Sequence, residues 1–365
     1  MDNDNTEITE IRRLIDEVDE ELLRILNRRA ELAIRAGELK RRDDRPYYTP
    51  EREREVFDRL AKISGGPLQR RQIEAIFREV ISVARSLEKT LEIGYWGPVG
   101  TFTHLAALKQ FGREANFNPL DSIEEVFRAV EQSQADYGVV PVENSLVGVV
   151  PETLDMFART NVRICAEVYV DIAHHLLTDC ESLDAIERVY AGPQPAAQCR
   201  RWLRTNLPRA EVVEVVPTAK AAERAKADPS GASIGTKLAA ENVGIGVLHE
   251  HIEDNPHNRT RFLVVGYNEP APTGRDRCSL MFILRNRPGE LYRALGAFDR
   301  YDVNLTMIES RPAQRAGFEY IFYCDCQGHH TDHLVAKAIE TLRASALECV
   351  ILGSYPEAAD APSPA

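Results

Sequence analysis

Residues 6–42 carry apolar side chains at the spacing of one uninterrupted helix, and this long pattern restricts the fold more than any other. Thr6 is the predicted N-cap, and Pro46 and Pro50 end the helix. Such a helix is about 55 Å long, which exceeds the core of a domain of about 90 residues. We therefore expect it to pack against another long helix, most simply its copy in a second chain.

Two shorter helices are predicted at 51–62 and 68–89, separated by the turn Ser64-Gly-Gly-Pro. Together, residues 6–90 resemble the all-helical class of chorismate mutase, which rearranges chorismate to prephenate. The resemblance implies a substrate pocket lined by charged side chains. Lys40 and Glu88 match positions that act in catalysis. The positions that match substrate-binding residues are Arg12, Arg29, Arg52 and Glu53.

Helix geometry constrains how these residues can share a pocket. Arg29 and Lys40 are eleven positions apart, close to three whole turns, so they lie on one face. Arg12 is seventeen positions from Arg29, about 100° out of phase, and should not serve the same pocket within one chain. Arg12 can serve a partner's pocket if two long helices run antiparallel, as the resemblance implies. Glu88 stands where some family members have glutamine, so it must be protonated to donate a hydrogen bond.

Residues 92–268 alternate predicted strands and helices, as expected for sheets with flanking helices. The apolar run from Tyr137 predicts a buried strand that stops at Glu143 and Asn144. Open α/β sheets place ligands just past the carboxyl end of such strands. An equally acceptable interpretation is an ordinary strand–loop–helix corner, in which Asn144 caps backbone groups.

Three segments of this region resemble prephenate dehydratases, which turn prephenate into phenylpyruvate with loss of water and carbon dioxide. They are Gly138-Val-Val-Pro-Val-Glu-Asn-Ser, Gly97-Pro-Val-Gly-Thr-Phe-Thr and Asn258-Arg-Thr-Arg-Phe. The resemblance implies a two-lobed α/β domain with a cleft. The implied catalytic residues are Thr260, Glu143, Asn144 and Gln198, and the implied substrate-binding residues are Arg261 and Glu223.

The chemistry fits this residue set. Loss of carbon dioxide and hydroxide makes the prephenate ring aromatic, so the enzyme mainly holds two carboxylates and assists the departing hydroxyl. A hydroxyl such as that of Thr260 can donate a proton or a hydrogen bond to that oxygen. The Gly97–Thr103 segment is predicted to form an anion cradle at a helix start. We expect neither a metal nor an organic cofactor.

Residues 277–356 show the predicted order β-α-β-β-α-β, which indicates a ferredoxin-like sandwich. This unit resembles an ACT regulatory domain, with L-phenylalanine as the implied effector. Glu290 and Tyr292 depart from the family's usual residues. The implied effector-binding positions are Gly289, Leu291, Glu309, Ser310, Arg311 and Pro312. Residues 357–365, rich in Ala, Pro and Asp, are predicted to be a disordered tail.

The sequence as a whole predicts a multidomain protein. It comprises an all-α domain at 1–91, a two-lobed α/β domain at 92–270 and an α+β ferredoxin-like domain at 277–356. A net charge of −12 without a basic stripe argues against nucleic acid, and no apolar run is long enough to span a membrane. An acidic amino terminus and seven scattered cysteines favour the cytoplasm.

The resulting hypothesis is a bifunctional enzyme of phenylalanine biosynthesis, a homodimer or higher homo-oligomer, inhibited by L-phenylalanine. Two alternatives stay open. The second activity could prefer arogenate to prephenate. Less favoured is a non-catalytic protein that senses amino acids, because two-lobed α/β domains and ACT domains both occur in binding proteins.

Overall fold

The computed structural model describes residues 2–43, 45–216, 220–312 and 320–361, with side chains from residue 7 onward. The chain divides into two compact units. The first comprises Met1–Leu91 with Phe111–Asn116, and the second comprises Glu92–Gln110 with Phe117–Ala365. In the described part, no helix is both long enough and apolar enough to cross a membrane.

The first unit is built from the three predicted helices. They are α1 (Asp2–Arg42), α2 (Pro50–Ile63) and α3 (Arg70–Glu88). The helix α1 begins before the predicted N-cap Thr6, so that prediction is wrong. Gln69 and Gln72 form a reciprocal capping box that starts α3. Near its carboxyl end, α1 packs against α3 through Gly37, which is buried against Glu88.

Most of α1 leaves its apolar face uncovered within this unit. The exposed fractions of its large apolar side chains run from 40% at Ile34 to 62% at Val18. Single exposed apolar residues are ordinary, but a continuous stripe of this length marks an interaction surface. The stripe comprises Ile8, Ile11, Leu14, Ile15, Val18, Leu22, Leu23, Ile25, Leu32, Ile34 and Leu39.

The second unit contains three sheets. The first has the order β2-β1-β3-β11-β5, with β4 beside β3. Its strands are β1 (Glu92–Trp96), β2 (Asn116–Leu120), β3 (Tyr137–Asn144), β4 (Gly148–Val149), β5 (Arg163–Asp171) and β11 (Arg259–Gly266). Its helices are α4 (Phe102–Phe111), α5 (Ile123–Glu131) and α6 (Pro151–Phe157). Strand β3 is parallel to β1 and antiparallel to β11.

The second sheet has the order β10-β6-β9-β7-β8. Its strands are β6 (His175–Leu177), β7 (Arg188–Ala191), β8 (Glu211–Glu214), β9 (Gly231–Gly235) and β10 (Val247–His249). Its helices are α7 (Pro193–Gln198), α8 (Arg200–Asn206), α9 (Lys220–Ala227) and α10 (Lys237–Val243), and a single 3-10 turn covers Leu183–Ala185. The two sheets are the cores of the two expected lobes, and the chain passes between them after β5 and returns before β11.

The third sheet is fully antiparallel, with the order β13-β14-β12-β15. Its elements are β12 (Asp276–Leu284), α11 (Glu290–Asp299), β13 (Leu305–Pro312), β14 (Tyr320–Gln327), α12 (His333–Ser345) and β15 (Glu348–Pro356). This is the predicted β-α-β-β-α-β order. One apolar core joins it to the first sheet, because Met281, Tyr323 and Tyr355 pack with Val142 and Leu263.

The predicted tail at 357–365 is partly wrong. Glu357 pairs with Arg275 and Arg277, and the Asp360 carboxylate accepts from Lys109 at 2.7 Å. These contacts order residues 357–361, whereas 362–365 lie outside the described residues.

Candidate active sites

A cluster of charged side chains lies between α1, α2 and α3. The Lys40 ammonium is 2.7 Å from the Glu88 carboxylate, and the Arg29 guanidinium donates to the backbone oxygen of Val80 at 3.2 Å. Burial lowers the pKa of Arg29, while the nearby charge of Glu88 acts in the opposite direction. The structure therefore brings Arg29, Lys40 and Glu88 together, and the predicted shared face of α1 accounts for this.

Glu53 joins this cluster through a residue that the sequence interpretation missed. Arg85 donates to the Glu53 carboxylate at 2.5 Å, and its guanidinium lies 5.3 Å from the centre of the Tyr48 ring. Burial raises the pKa of Glu53, against the opposing effect of Arg85. Arg85 could have been found from its position, because it precedes Glu88 on α3 by three residues and so shares its face.

Arg12 and Arg52 do not enter the cluster. Arg12 is exposed on α1, about 25 Å along the helix axis from Arg29. Arg52 has a side chain that is 62% exposed and pairs with Glu55 at 2.6 Å. Within one chain, the pocket thus lacks both of these predicted substrate-binding arginines.

A second cluster lies at the carboxyl end of β3, where it meets the amino end of β11. Asn144 and Thr260 are register partners on these strands. The Asn144 side-chain oxygen accepts from the backbone N–H groups of Leu146 and Val147, both at 3.0 Å. Its side-chain nitrogen therefore points the other way and donates to Thr260 Oγ1 at 2.8 Å.

The bond from Asn144 constrains where the Thr260 hydroxyl proton can point. Because its oxygen accepts from Asn144, the hydroxyl proton is directed toward another acceptor. Asn258 completes the arrangement by accepting from the same Asn144 nitrogen at 2.8 Å. The hydroxyl is nearly buried, at 8% exposure for Thr260, so a donated hydrogen bond there is strengthened by low dielectric.

Arg261 does not lie with Thr260, which corrects the prediction that it contacts a substrate carboxylate. Neighbouring residues of a strand point to opposite faces. The Arg261 guanidinium is buried and donates to Glu167 at 2.8 Å, to Asp325 at 2.5 Å and to the Tyr355 hydroxyl at 2.9 Å. Burial acts to lower the pKa of Arg261, but Asp325, Tyr355 and Glu167 hold it well above the ordinary value.

The Glu143 side chain lies on the same face of the sheet as Arg261, opposite to that of Thr260. It is the register partner of Arg261, and cross-strand partners share a face. The half-buried Glu143 carboxylate is therefore directed to the Arg261 face of the sheet. Of the two residues that end β3, Glu143 and Asn144, only Asn144 contacts the Thr260 hydroxyl among the described residues.

The remaining predicted residues of this region lie in the second lobe. Gln198 ends α7, and its side-chain oxygen is 2.7 Å from the His174 ring nitrogen Nε2. Glu223 is exposed in the first turn of α9, and the structure shows no contact that joins it to Thr260. His174 was not among the predicted site residues, since the adjacent pair His174 and His175 matches no catalytic or metal-binding motif.

The predicted anion cradle is a turn with two left-handed glycines, Gly97 and Gly100. The N–H of Gly100 donates to His104 Nδ1 at 3.2 Å, so one of its backbone donors is already used. The oxygen of Gly100 accepts from the Thr236 hydroxyl at 2.6 Å, which ties the turn to the start of α10 in the second lobe. Among the described residues, no group of His, Cys, Asp or Glu side chains is arranged to hold a metal ion.

The predicted effector positions lie at the carboxyl ends of β12 and β13, at the same end of the third sheet. The strands β12 and β13 run in the same direction, since both are antiparallel to β14. Gly289, left-handed at φ +80°, follows the end of β12, and Glu309 to Pro312 end β13. Arg311 is already paired, at 3.2 Å, with Asp155 on α6.

Comparisons with known proteins agree with this division. Residues 11–89 match the family "Chorismate mutase type II", residues 93–270 match "Prephenate dehydratase" and residues 279–344 match "ACT domain". A bifunctional chorismate mutase/prephenate dehydratase from Aquifex aeolicus is 43% identical over 96% of this chain and 98% of its own length.

Two solved structures resemble the second unit. A prephenate dehydratase from Arthrobacter aurescens, in complex with L-Phe, is 35% identical, with a TM-score of 0.68 over 74% of this chain and 91% of that one. A protein described as a novel type of quorum quenching acylase is 28% identical, with a TM-score of 0.67 over 73% of this chain and 98% of that one.

Proposed function

Because the chain belongs to the family of bifunctional chorismate mutase/prephenate dehydratases, we propose that its two activities use the two clusters described above. The chain rearranges chorismate to prephenate and converts prephenate to phenylpyruvate. The helical cluster around Lys40 and Glu88 serves the first reaction, and the cluster around Thr260 serves the second. A reducing compartment such as the cytoplasm suits the seven cysteines, all of which are thiols.

The observation that carries the dehydratase assignment is the hydrogen bond from Asn144 to Thr260. As the carboxylate leaves prephenate as carbon dioxide, its bonding electrons enter the ring and the carbon–oxygen bond to the hydroxyl breaks. The departing oxygen gains negative charge in the transition state, so a donor aimed at it accelerates the reaction. With its oxygen occupied by Asn144, the Thr260 hydroxyl is a dedicated donor for that step.

Replacing Thr260 tests this assignment. Thr260→Val keeps the shape but removes the donor, and we expect the dehydratase kcat to fall by about 100-fold or more. Thr260→Ser is the matched control, since it retains the hydroxyl and should keep most of the activity. The mutase rate of the same chains should stay near wild type. A Thr260→Val enzyme with normal dehydratase turnover, or with equal loss of both activities, would contradict the assignment.

For the mutase, Lys40 and Glu88 are assigned to the ether oxygen of chorismate, where negative charge builds as the carbon–oxygen bond lengthens. The reaction is pericyclic, so it needs no nucleophile. Arg29 is assigned to a substrate carboxylate. Arg12 is exposed and distant within its own chain, which supports a dimer in which Arg12 completes the partner's pocket. The exposed apolar stripe on α1 is the surface that such a dimer would bury.

L-Phenylalanine is proposed as a feedback inhibitor that binds the third sheet. Support comes from Gly289, Leu291, Glu309 and Ser310, which the topology brings to the same end of the sheet. The dehydratase from Arthrobacter aurescens, which matches 74% of this chain, was solved in complex with L-Phe. The free amino acid carries one carboxylate and one ammonium, and Gly289 supplies the start of α11 for the carboxylate.

A further inference from the structure

His174 lies where the chain passes from the first sheet to the second. It stands between the end of β5 and the start of β6, four residues after Val170, the register partner of Thr260. The side chain is 1% exposed, and its ring meets the ring of Phe102 edge-on at 5.5 Å. Phe102 is the first residue of α4 and directly follows the glycine turn. His174 thus lies between β5, which pairs with the strand that carries Thr260, and the first strand of the second lobe.

Two further contacts fix His174 and Gln198 in place. The backbone N–H of His174 donates to the Glu253 carboxylate at 2.7 Å. The backbone oxygen of Gln198 accepts from the N–H of Asp254, also at 2.7 Å. Both acidic residues belong to the segment that returns to β11. The side-chain bond between His174 Nε2 and Gln198 Oε1, at 2.7 Å, is therefore held at both ends by the second crossing of the chain.

The position of the His174 proton follows from what surrounds the ring. Nδ1 is buried and has no hydrogen-bond partner among the described residues. A proton on Nδ1 would be a buried donor without an acceptor, which is rarer and more costly than a bare acceptor. The proton therefore sits on Nε2 and is donated to Gln198 Oε1. Burial lowers the pKa of His174, although Gln198 and Glu253 act in the opposite direction, so the ring is neutral.

We propose that His174 is a positioning residue for the dehydratase reaction, which fixes the Gln198 carboxamide so that its NH2 group, and not its oxygen, faces the substrate. The inference rests on the proposed dehydratase activity and on the catalytic role that the family resemblance implies for Gln198. An NH2 group donates to carboxylate or hydroxyl oxygens, which are the groups of a dicarboxylate substrate that must be held or released. A carboxamide in the opposite orientation would present a lone pair to those oxygens and repel them. His174 therefore acts through Gln198 rather than on the substrate.

A double-mutant cycle in the full chain tests whether His174 acts through Gln198. His174→Phe keeps the ring but removes the donor, and Gln198→Ala removes the carboxamide. We expect each to lower dehydratase kcat/KM by about 10- to 100-fold. In the Gln198→Ala background, His174→Phe should cause a further loss of less than about twofold, because its target is gone. A merely structural role for His174 would instead give losses that multiply.

Two conservative replacements of His174 test whether Nε2 is the ring atom that holds Gln198. The amide of Gln reaches the place of Nε2, whereas the amide of Asn reaches only the place of Nδ1. His174→Gln should therefore recover a large part of the activity lost in His174→Phe, and His174→Asn should recover little. Equal recovery by both would overturn the proposal, as would multiplying losses in the cycle.

The matched control is His175→Phe. His175 is the adjacent histidine and is also buried, but its ring contacts His251, so its replacement should leave dehydratase kcat/KM within about twofold of wild type. Melting temperatures verify that each variant is folded. Full activity of Gln198→Ala would overturn the proposed role of Gln198 and this inference with it. An impaired Gln198→Ala beside a fully active His174→Phe would overturn the inference alone.

Discussion

At the residue scale, the Lys40–Glu88 contact governs how the mutase should respond to pH. The Lys40 ammonium and the Glu88 carboxylate are 2.7 Å apart. An ionised carboxylate cannot donate a hydrogen bond and repels the charge that develops on the ether oxygen of chorismate. Glu88 must therefore hold a proton when the substrate reacts. The Lys40 ammonium can then interact with the ether oxygen of the substrate.

If Glu88 donates to the ether oxygen, the mutase kcat/KM should fall as pH rises from about 5 to about 9, because an ionised carboxylate has no proton to donate. Glu88→Gln donates at any pH and should flatten the profile. The dehydratase profile of the same two proteins is the control and should not change. Matching mutase profiles for wild type and Glu88→Gln would remove Glu88 from this role.

Residue types could be predicted from motifs, but the side of a strand to which each points could not. Thr260 and Arg261 belong to one matched motif, yet their side chains lie on opposite faces of β11. Arg261 was expected at a substrate carboxylate because arginine pairs well with carboxylates. It does bind carboxylates, but those of Glu167 and Asp325, which are distant in sequence. No local pattern shows that such partners converge on a buried strand.

At the scale of elements, a glycine sets how closely α1 and α3 approach. A Cβ atom at Gly37 would lie 2.8 Å from Cβ and 2.9 Å from Cγ of Glu88. Glycine within a helix is about 1 kcal/mol less favourable than alanine, and the close packing of α1 on α3 offsets this loss of stability. The absence of a side chain at Gly37 places Glu88 beside Lys40.

Gly37→Ala should therefore lower mutase kcat by about tenfold or more while dehydratase activity stays unchanged, since the added methyl group displaces the root of Glu88. Gly296→Ala is the matched control. Gly296 also lies within a helix, but a Cβ there meets nothing within 4 Å, so stability should rise slightly and both activities should persist. Unchanged mutase kinetics in Gly37→Ala would show that the approach of the helices does not position Glu88.

The length of α1 makes a separate prediction about subunits. If Arg12 completes the pocket of a partner chain, Arg12→Ala and Arg29→Ala homodimers should both have weak mutase activity. In a heterodimer of the two variants, one of two pockets has both arginines. Random mixing after co-refolding should then restore about a quarter of wild-type activity. Heterodimers that are proven by mass but remain as weak as the parents would argue against a shared pocket.

The predicted elements matched the structure where the signal is periodic and strong. The apolar patterns predict a strand at 92–96 and a helix at 102–111, and β1 (Glu92–Trp96) and α4 (Phe102–Phe111) have these bounds. The missed strands are short or lie at a sheet edge. Strand β2 contains Pro119 and two asparagines, residues that are depleted in strands, and it forms only because β1 offers an edge to pair with. The helix predicted at 194–203 is divided at Cys199 into α7 and α8.

At the scale of the second unit, a buried ionic network connects the catalytic strand to the third sheet. Arg261 on β11 contacts Asp325 on β14 and Tyr355 on β15, and Ser279 on β12 bonds to both of these partners at 2.6 and 2.7 Å. Arg261 is the strand neighbour of Thr260. Among the described residues, this is the buried ionic link between β11 and the sheet proposed to bind L-phenylalanine. The same fold occurs in a protein described as an acylase, so such residues, rather than the fold, determine what the unit does.

If this network carries the inhibitory signal, Asp325→Asn should uncouple it. The substitution keeps the shape of the Asp325 side chain but removes its charge. Among the described residues of the network, Glu167 is then the one buried carboxylate that Arg261 and Arg277 contact. We expect the L-phenylalanine concentration for half-inhibition of the dehydratase to rise by about tenfold. The melting temperature should also fall, because breaking a buried ion pair costs about 3–5 kcal/mol.

Two further variants keep this last prediction testable if Asp325→Asn is too unstable. Tyr355→Phe removes one neutral hydrogen bond from the same network, so it should shift the half-inhibition concentration in the same direction but by less. Arg275→Gln removes a charge directly before β12, from a side chain that is 64% exposed, and should shift neither inhibition nor stability measurably. Dehydratase rates measured against L-phenylalanine order the three variants. Wild-type inhibition in a folded Asp325→Asn enzyme would mean that the signal reaches Thr260 by another route, because the charge that holds Arg261 to the third sheet would be gone.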